Sequence, residues 1–271
     1  MDAAKISPSG EPPSLDVWSA TVAARTSEWE VPLIPLEDLG LFRTAEEGFI
    51  ETGTLKLLGT GQEAHAYLDE GIGVVYKLFD LRGHGQLGKK VEFRRISENE
   101  FDLVFLGATI GETLEKIIVL HDLGAHPTEI VGIARSCDFL IVKQPAAIAR
   151  SYSFITDRLT PEQQSEFEQD REAAIRAIKG VPCICPGLRQ RIAVCNLNGQ
   201  SWLVTDLHTR NIMFGGDGEA TIIDALTGPV PFEAMEVLAP LADAVRRARA
   251  WRVLGRLPDK GRFDDVDDRD L

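Results

Sequence analysis

A chain of 271 residues with 44% hydrophobic and 26% charged residues can bury one sizeable core or two lobes, which excludes a fibrous or disordered class. Its 42 acidic residues against 29 basic ones give a formal charge of −13, so nucleic acid is an unexpected partner except at a local basic groove. No apolar run reaches the roughly 18–20 residues of a membrane span and no apolar signal region follows Met1, so the expected location is cytoplasmic.

Residues 1–50 read as an N-terminal extension, partly disordered. Residues 1–13 are a Pro, Ser and Gly-rich leader, and Leu15 to Glu30 has loosely helical spacing. Pro32 and Pro35 break that pattern, and Leu36 to Phe42 reads as a short helix. Leu55 to Leu68 then reads as strand, glycine turn and strand, with Gly59-Thr60-Gly61 at the turn. A third strand, Val74 to Phe79, is apolar except for Lys77. Such a lysine either snorkels to solvent or reaches under the glycine turn to grip phosphate. No Gly-Lys-Ser/Thr follows and no helix starts here, so this is neither a Walker A loop nor a dinucleotide fingerprint.

Arg82 to Phe105 reads as an insertion, in part helical, whose Lys89-Lys90 and Arg94-Arg95 form a solvated face or meet an acidic partner. Thr109 to Leu123 has helical apolar spacing, and Gly124 is its stop. Glu115, beside that apolar face, is the expected partner of Lys77, whereas Glu112 reads as solvated. Two strands follow, and the second ends in Lys143-Gln144-Pro145, a hinge whose backbone could read an adenine edge. Thr160-Pro161-Glu162-Gln163 is a helix start with a reciprocal cap. Cys137, Cys183, Cys185 and Cys195 read as core or loop thiols, since Cys-x-Cys is not the spacing of ordinary zinc modules.

The chemistry concentrates between Val204 and Asp224. An apolar run delivers Asp206, Asn211 follows five residues later, and a second apolar run delivers Asp224. Three oxygen-bearing side chains so placed suit Mg²⁺ held against phosphates and a hydroxyl oriented for attack. The alternative is a β-hairpin turning at Gly215–Gly218, with the aspartates only capping loops. Beyond Asp224, Glu233 to Arg252 reads as helical though interrupted by Pro240, and residues 259–271 read as an acidic disordered tail.

In this order the motifs resemble the protein-kinase-like superfamily. The catalytic loop is similar to that of aminoglycoside and choline kinases. The whole is closest to the serine/threonine/tyrosine kinase-like domain of polyvalent proteins from phages and mobile elements. The resemblance implies a two-lobed α+β fold, with an antiparallel-sheet N-lobe (51–145) bearing one C-helix, and a short, mainly helical C-lobe (146–258). It implies ATP and Mg²⁺ as cofactors. Gly59, Thr60, Gly61, Lys77, Glu115, Lys143 and Gln144 would bind ATP, and Asn211 and Asp224 the metal. Asp206 would be catalytic together with Lys77, and His208 would either meet the transferred phosphate or shape the loop backbone. The expected function is γ-phosphate transfer to a hydroxyl of a protein or small molecule. Ala225-Leu226 after the metal Asp and the short C-terminal part keep two alternatives open: a pseudokinase-like nucleotide-binding module, and AMP transfer.

Overall fold

The computed structural model describes residues 31–43, 50–61, 64–81, 88–135, 139–155, 158–185, 188 and 191–258. The expectations for residues 1–30, Cys137 and the acidic tail lie outside the described residues.

The first elements in the chain are β1 (Leu33–Ile34), a 3-10 turn (Leu36–Leu39), β2 (Leu41–Arg43), β3 (Ile50–Thr52), β4 (Lys56–Thr60), β5 (Ala64–Asp69) and β6 (Val74–Asp80). Then come β7 (Lys89–Ser97), β8 (Glu100–Gly107), helix α1 (Ile110–Leu123), β9 (Glu129–Ala134) and β10 (Phe139–Pro145). A second 3-10 turn (Ser151–Phe154), α2 (Pro161–Ala177), β11 (Val181–Cys183), β12 (Ile192–Leu197) and β13 (Gln200–Thr205) follow. The last are β14 (Ile212–Phe214), β15 (Ala220–Ile222), β16 (Leu226–Pro229), α3 (Phe232–Val237) and α4 (Ala239–Leu254). The class is mixed α+β, with several sheets.

The chain divides into two compact units. One takes the residues up to Lys89, Gly107–Glu115 and Pro127–Ala146; the other takes Lys90–Leu106, Lys116–His126 and the residues from Ala147 on. The excursions at 90–106 and 116–126 were not anticipated.

The first unit is built on a six-stranded sheet in the order β1-β9-β10-β6-β5-β4, antiparallel except where β1 runs parallel to β9. Side chains alternate along each strand, so β6 presents two sets. Tyr76 and Leu78 share one face with Tyr67, Phe139 and Ile141, and that face packs with Leu36, Leu41 and Leu55. Val75, Lys77 and Phe79 take the other face, beside Leu140 and Val142, and all five are buried. Burial on both faces explains why β6 reads as an apolar run on both sides of Lys77. Residues 31–43 are therefore part of this unit and no mere extension. Gly132 makes their docking possible, since a Cβ there would lie 2.4 Å from the Pro32 carbonyl oxygen.

The second unit centres on an antiparallel sheet in the order β11-β12-β13-β16. Ile192, Val194 and Leu203 point into a core shared with α4 and with Val91, Phe101 and Leu103 of β7 and β8. Ala193, Cys195 and Val204 point into a second core formed with α2 and the β14–β15 hairpin. The stretch read as partly helical between Arg82 and Phe105 is thus, from residue 88 on, a hairpin of two long strands. Its close packing needs Gly228, where a Cβ would meet the Val91 carbonyl oxygen at 2.4 Å. Among the described residues, 146–258 are also less helical than expected, holding six strands, β11 to β16. Helix α2 begins as read, with Thr160 and Gln163 capping each other. Pro240 lies in the first turn of α4, where a missing N–H costs nothing, so it starts that helix and does not interrupt it.

Candidate functional site

In the second unit, the register of β13 with β16 sets the geometry. Thr205 pairs with Leu226, so the strand end that leads into Asp206 lies beside the segment that leaves Asp224. The β14–β15 hairpin closes the arrangement from the other side. Ile212 pairs with Ile222, and the Ile223 N–H donates to the Asn211 carbonyl at 2.9 Å. The hairpin and the carboxylate cluster, alternatives in the sequence, are one construction: the hairpin turns at Gly215–Gly218 and holds Asn211 and Asp224 at its open end.

Asn211 joins the three. Its buried side-chain Nδ2 donates to the Asp206 carbonyl at 2.9 Å, and lies 3.3 Å from both Asp206 Oδ2 and the Asp224 carbonyl. All three neighbours are acceptors, so the amide orientation is set by chemistry, with Oδ1 facing away from them. Asp206 and Asp224 both have left-handed backbone, with φ of 63° and 51°. Asp tolerates that region better than most residues but still at a cost, which the Asn211 bonds offset. Non-glycine residues in such conformations gather at functional sites.

His208 is half-exposed. Its Nδ1 accepts from the Arg210 N–H at 3.2 Å, and Nε2 lies 3.7 Å from Asp206 Oδ1. A neutral His208 therefore carries its proton on Nε2, on the Asp206 side. The loop-shaping contact expected of it is present.

In the first unit, the cross-strand register lines up Gly59, Ala66, Lys77 and Val142 in one row. Paired residues share a face, so Lys77 is buried on the side where Gly59 offers only backbone. A Cβ at Gly59 would meet nothing within 4 Å, and φ there is not left-handed, so neither packing nor backbone strain demands glycine. Thr60 Oγ1 and His65 Nδ1 lie 3.2 Å apart across the turn, and the Gly61 N–H bonds to the Ala64 carbonyl.

Three expected contacts differ. Glu115 is exposed and has no hydrogen bond or ion pair among the described residues. The buried stripe of α1 is Ile110, Thr113, Leu114 and Ile117, and Glu115 stands about 140° round the helix from Ile110. Glu112, read as merely solvated, caps α1 instead: its carboxylate accepts from the Thr109 N–H and hydroxyl at 2.8 and 2.9 Å. Lys143 and Gln144 are committed within the sheet. Lys143 pairs with Glu129 at 2.9 Å, and Gln144 Nε2 donates to Thr128 Oγ1 at 2.6 Å. The β10 ladder with β6 runs through Pro145, so this stretch is strand and not a loose hinge. Thr128 and Glu129 had no signal in the sequence, because the β9–β10 register decides who faces whom.

Among the described residues no three His, Cys, Asp or Glu side chains gather as a metal site. Two carboxylates and an amide nevertheless fit Mg²⁺, which takes one or two protein carboxylates and fills its shell with water and phosphate oxygens. Cys183, Cys185 and Cys195 are buried thiols. The sulfurs of Cys183 and Cys185 are 3.3 Å apart, and Cys183 is pushed up by its hydrogen bond to Cys185 and by burial. No helix among the described residues is long and apolar enough to cross a membrane. Comparison with known proteins finds no matching family model, no matching curated protein and no matching solved structure.

Proposed function

We propose that the chain is an ATP- and Mg²⁺-dependent phosphotransferase with a kinase-like division of labour. Asp206 accepts the proton of an acceptor hydroxyl as its oxygen bonds to the γ-phosphorus. The bond from that phosphorus to the β–γ bridging oxygen breaks, and ADP leaves with the electron pair. Asp224 and Asn211 would hold Mg²⁺, which when bound would neutralise phosphate charge. Lys77, with the backbone of Gly59, Thr60 and Gly61, is assigned to the remaining phosphates. His208 presents an N–H on the Asp206 side and orients that carboxylate. The acceptor is a protein or small molecule.

The observation that carries this reading is the Asn211 side chain tying together two aspartates that both hold left-handed backbone. A purely structural hairpin has no use for two such strained carboxylates at one end. The test is Mg²⁺-dependent ATP binding by calorimetry, with transfer from γ-labelled ATP read on the protein and on a panel of hydroxyl acceptors. Asp224→Ala is expected to lose the Mg²⁺-dependent part of binding. Asp206→Asn is expected to keep binding and to lose transfer by roughly 10²–10⁴-fold, the range for a positioned general base. Mg²⁺-dependent binding unchanged in Asp224→Ala would sink the assignment.

One observation favours a second reading, a nucleotide-binding module without turnover. Glu115 is exposed and does not hold Lys77 as the resemblance implies. Stabilisation by Mg-ATP with no transfer to any acceptor would decide for it.

A further inference from the structure

The strand that follows Asn211 is held along both edges. β15 takes one edge of β14. On the other, Ile148 and Phe214 exchange both backbone bonds: the Ile148 N–H donates to the Phe214 carbonyl at 2.8 Å, and the Phe214 N–H to the Ile148 carbonyl at 2.9 Å. This bridge brings Arg150, two residues on, to the end of β14. Its guanidinium lies over the Phe214 ring, 4.1 Å from the centroid. Phe214 is buried in the core formed with α2, three positions beyond Asn211.

Arg150 is itself held from α2. Its Nε lies 3.6 Å from Asp170 Oδ2, and its Nη1 lies 3.9 Å from Glu166 Oε1, so two carboxylates about one helical turn apart face one guanidinium. Asp170 Oδ2 also accepts from the hydroxyl of Tyr152, a wholly buried residue, at 2.9 Å. Burial and that bond push the hydroxyl above its ordinary 10.0, so it remains a donor to Asp170. An ion pair this exposed contributes little to stability by itself. What it does here is fix a planar cation on an aromatic ring, a combination of stacking and forked pairing that arginine supplies and lysine does not. We propose that Arg150 is a positioning residue for the Asn211 site: by tying β14 to α2 it fixes where the Asn211 side chain sits between Asp206 and Asp224. Its consequence for Mg²⁺ rests on the phosphotransferase reading above, whereas its hold on Asn211 does not.

The experiment compares the full chain with Arg150→Lys and Arg150→Ala by two readouts. Nitrogen NMR measures hydrogen exchange of the Asn211 side-chain amide relative to the backbone amides of α2, so that a general loosening cancels. Calorimetry gives the Mg²⁺ concentration at which ATP binding is half-maximal. Arg150→Ala is expected to speed the relative exchange by about fivefold and to raise that Mg²⁺ concentration by a similar factor, the scale of one partly exposed cation–π contact with a screened ion pair. Arg150→Lys should fall between it and the wild type, because it keeps a charge over the ring but loses the fork. An arginine with a merely structural role would lower stability and leave both readouts at their wild-type values, and that result would overturn the proposal. Faster Asn211 exchange in Arg150→Ala, with no Mg²⁺-dependent ATP binding even by the wild type, would uphold the hold on Asn211 and strike the phosphotransferase reading alone.

Discussion

Replacing Asn211 separates the role of its amide N–H groups from that of its oxygen. Asn211→Ala removes a bond of 2.9 Å to the Asp206 carbonyl and a weaker one shared between two acceptors at 3.3 Å. Each neutral bond contributes about 1 kcal/mol net, and a buried carbonyl left without its donor costs about 1–3 kcal/mol, so a loss of about 2–3 kcal/mol is expected. Asn211→Asp keeps the shape but sets a carboxylate against three acceptors. Coulomb repulsion at 3.3 Å with an effective dielectric near 20 would reach about 5 kcal/mol. Asp206 has 41% side-chain exposure, which screens that to about 1–2 kcal/mol beyond the alanine variant. Urea unfolding midpoints without metal should therefore fall in the order wild type, Asn211→Ala, Asn211→Asp. Added Mg²⁺ should narrow the gap for the Asp variant alone. If Asn211→Asp is as stable as the wild type at neutral pH without metal, the amide does not tie the loops together and the site geometry is misread.

Other expectations follow from single residues. Asp206→Gly should unfold at a higher urea concentration than Asp206→Ala, by about 1 kcal/mol, because glycine takes φ of 63° without strain; both should lose phosphate transfer. Gly228→Ala should cost more than about 2 kcal/mol, read by thermal unfolding, because its Cβ would lie 2.4 Å from the Val91 carbonyl oxygen on rigid backbone. Burial pushes the Cys195 thiol from its ordinary 9.0 up to about 12. The unfolded chain therefore releases that proton first as pH rises, and stability should fall between about pH 9 and 12 by up to about 1.4 kcal/mol per pH unit. Cys195→Ala should flatten that part of the pH profile; an unchanged slope would place the titration elsewhere. Thr109→Ala should lower stability by about 1 kcal/mol through loss of the reciprocal cap with Glu112, measurable as hydrogen exchange in the first turn of α1.

What could be read from the sequence was local in origin. Thr160 and Gln163 marked the start of α2, because a cap is decided within four residues. Asp206, Asn211 and Asp224 were found through their spacing and the apolar runs that deliver them. Strand β8 had a usable signal in the alternation of Phe101, Leu103 and Phe105, but the arginines of β7 broke the same pattern after Phe93. Strand β16 was hidden by Gly228 and Pro229, residues that read as loop and are tolerated here at a sheet edge. The placement of Glu115 failed for another reason. Helical phase is visible in sequence only relative to a correctly chosen buried stripe, and Thr113 and Gly111, both buried, are not apolar signals. Nothing local announces a left-handed aspartate or the pairing of Gln144 with Thr128, because distant strands impose both.

The excursion of β7 and β8 into the second unit also constrains how the chain folds. Val91, Phe101 and Leu103 find their core only with residues from Val181 to Trp251, so they wait, uncovered, for well over half of the chain to be made. Contacts closed across such long loops slow folding and leave sticky strands open to the wrong neighbours in the meantime. The chain passes from one unit to the other at 89/90, 106/107, 115/116, 126/127 and 146/147, so no single cut releases either unit whole. A chain ended at Ala146 would carry a complete set of strands for the six-stranded sheet and an orphaned hairpin beside it. Aggregation of that fragment, relieved by polar replacements at Val91, Phe101 and Leu103, is the behaviour such an interlaced topology imposes.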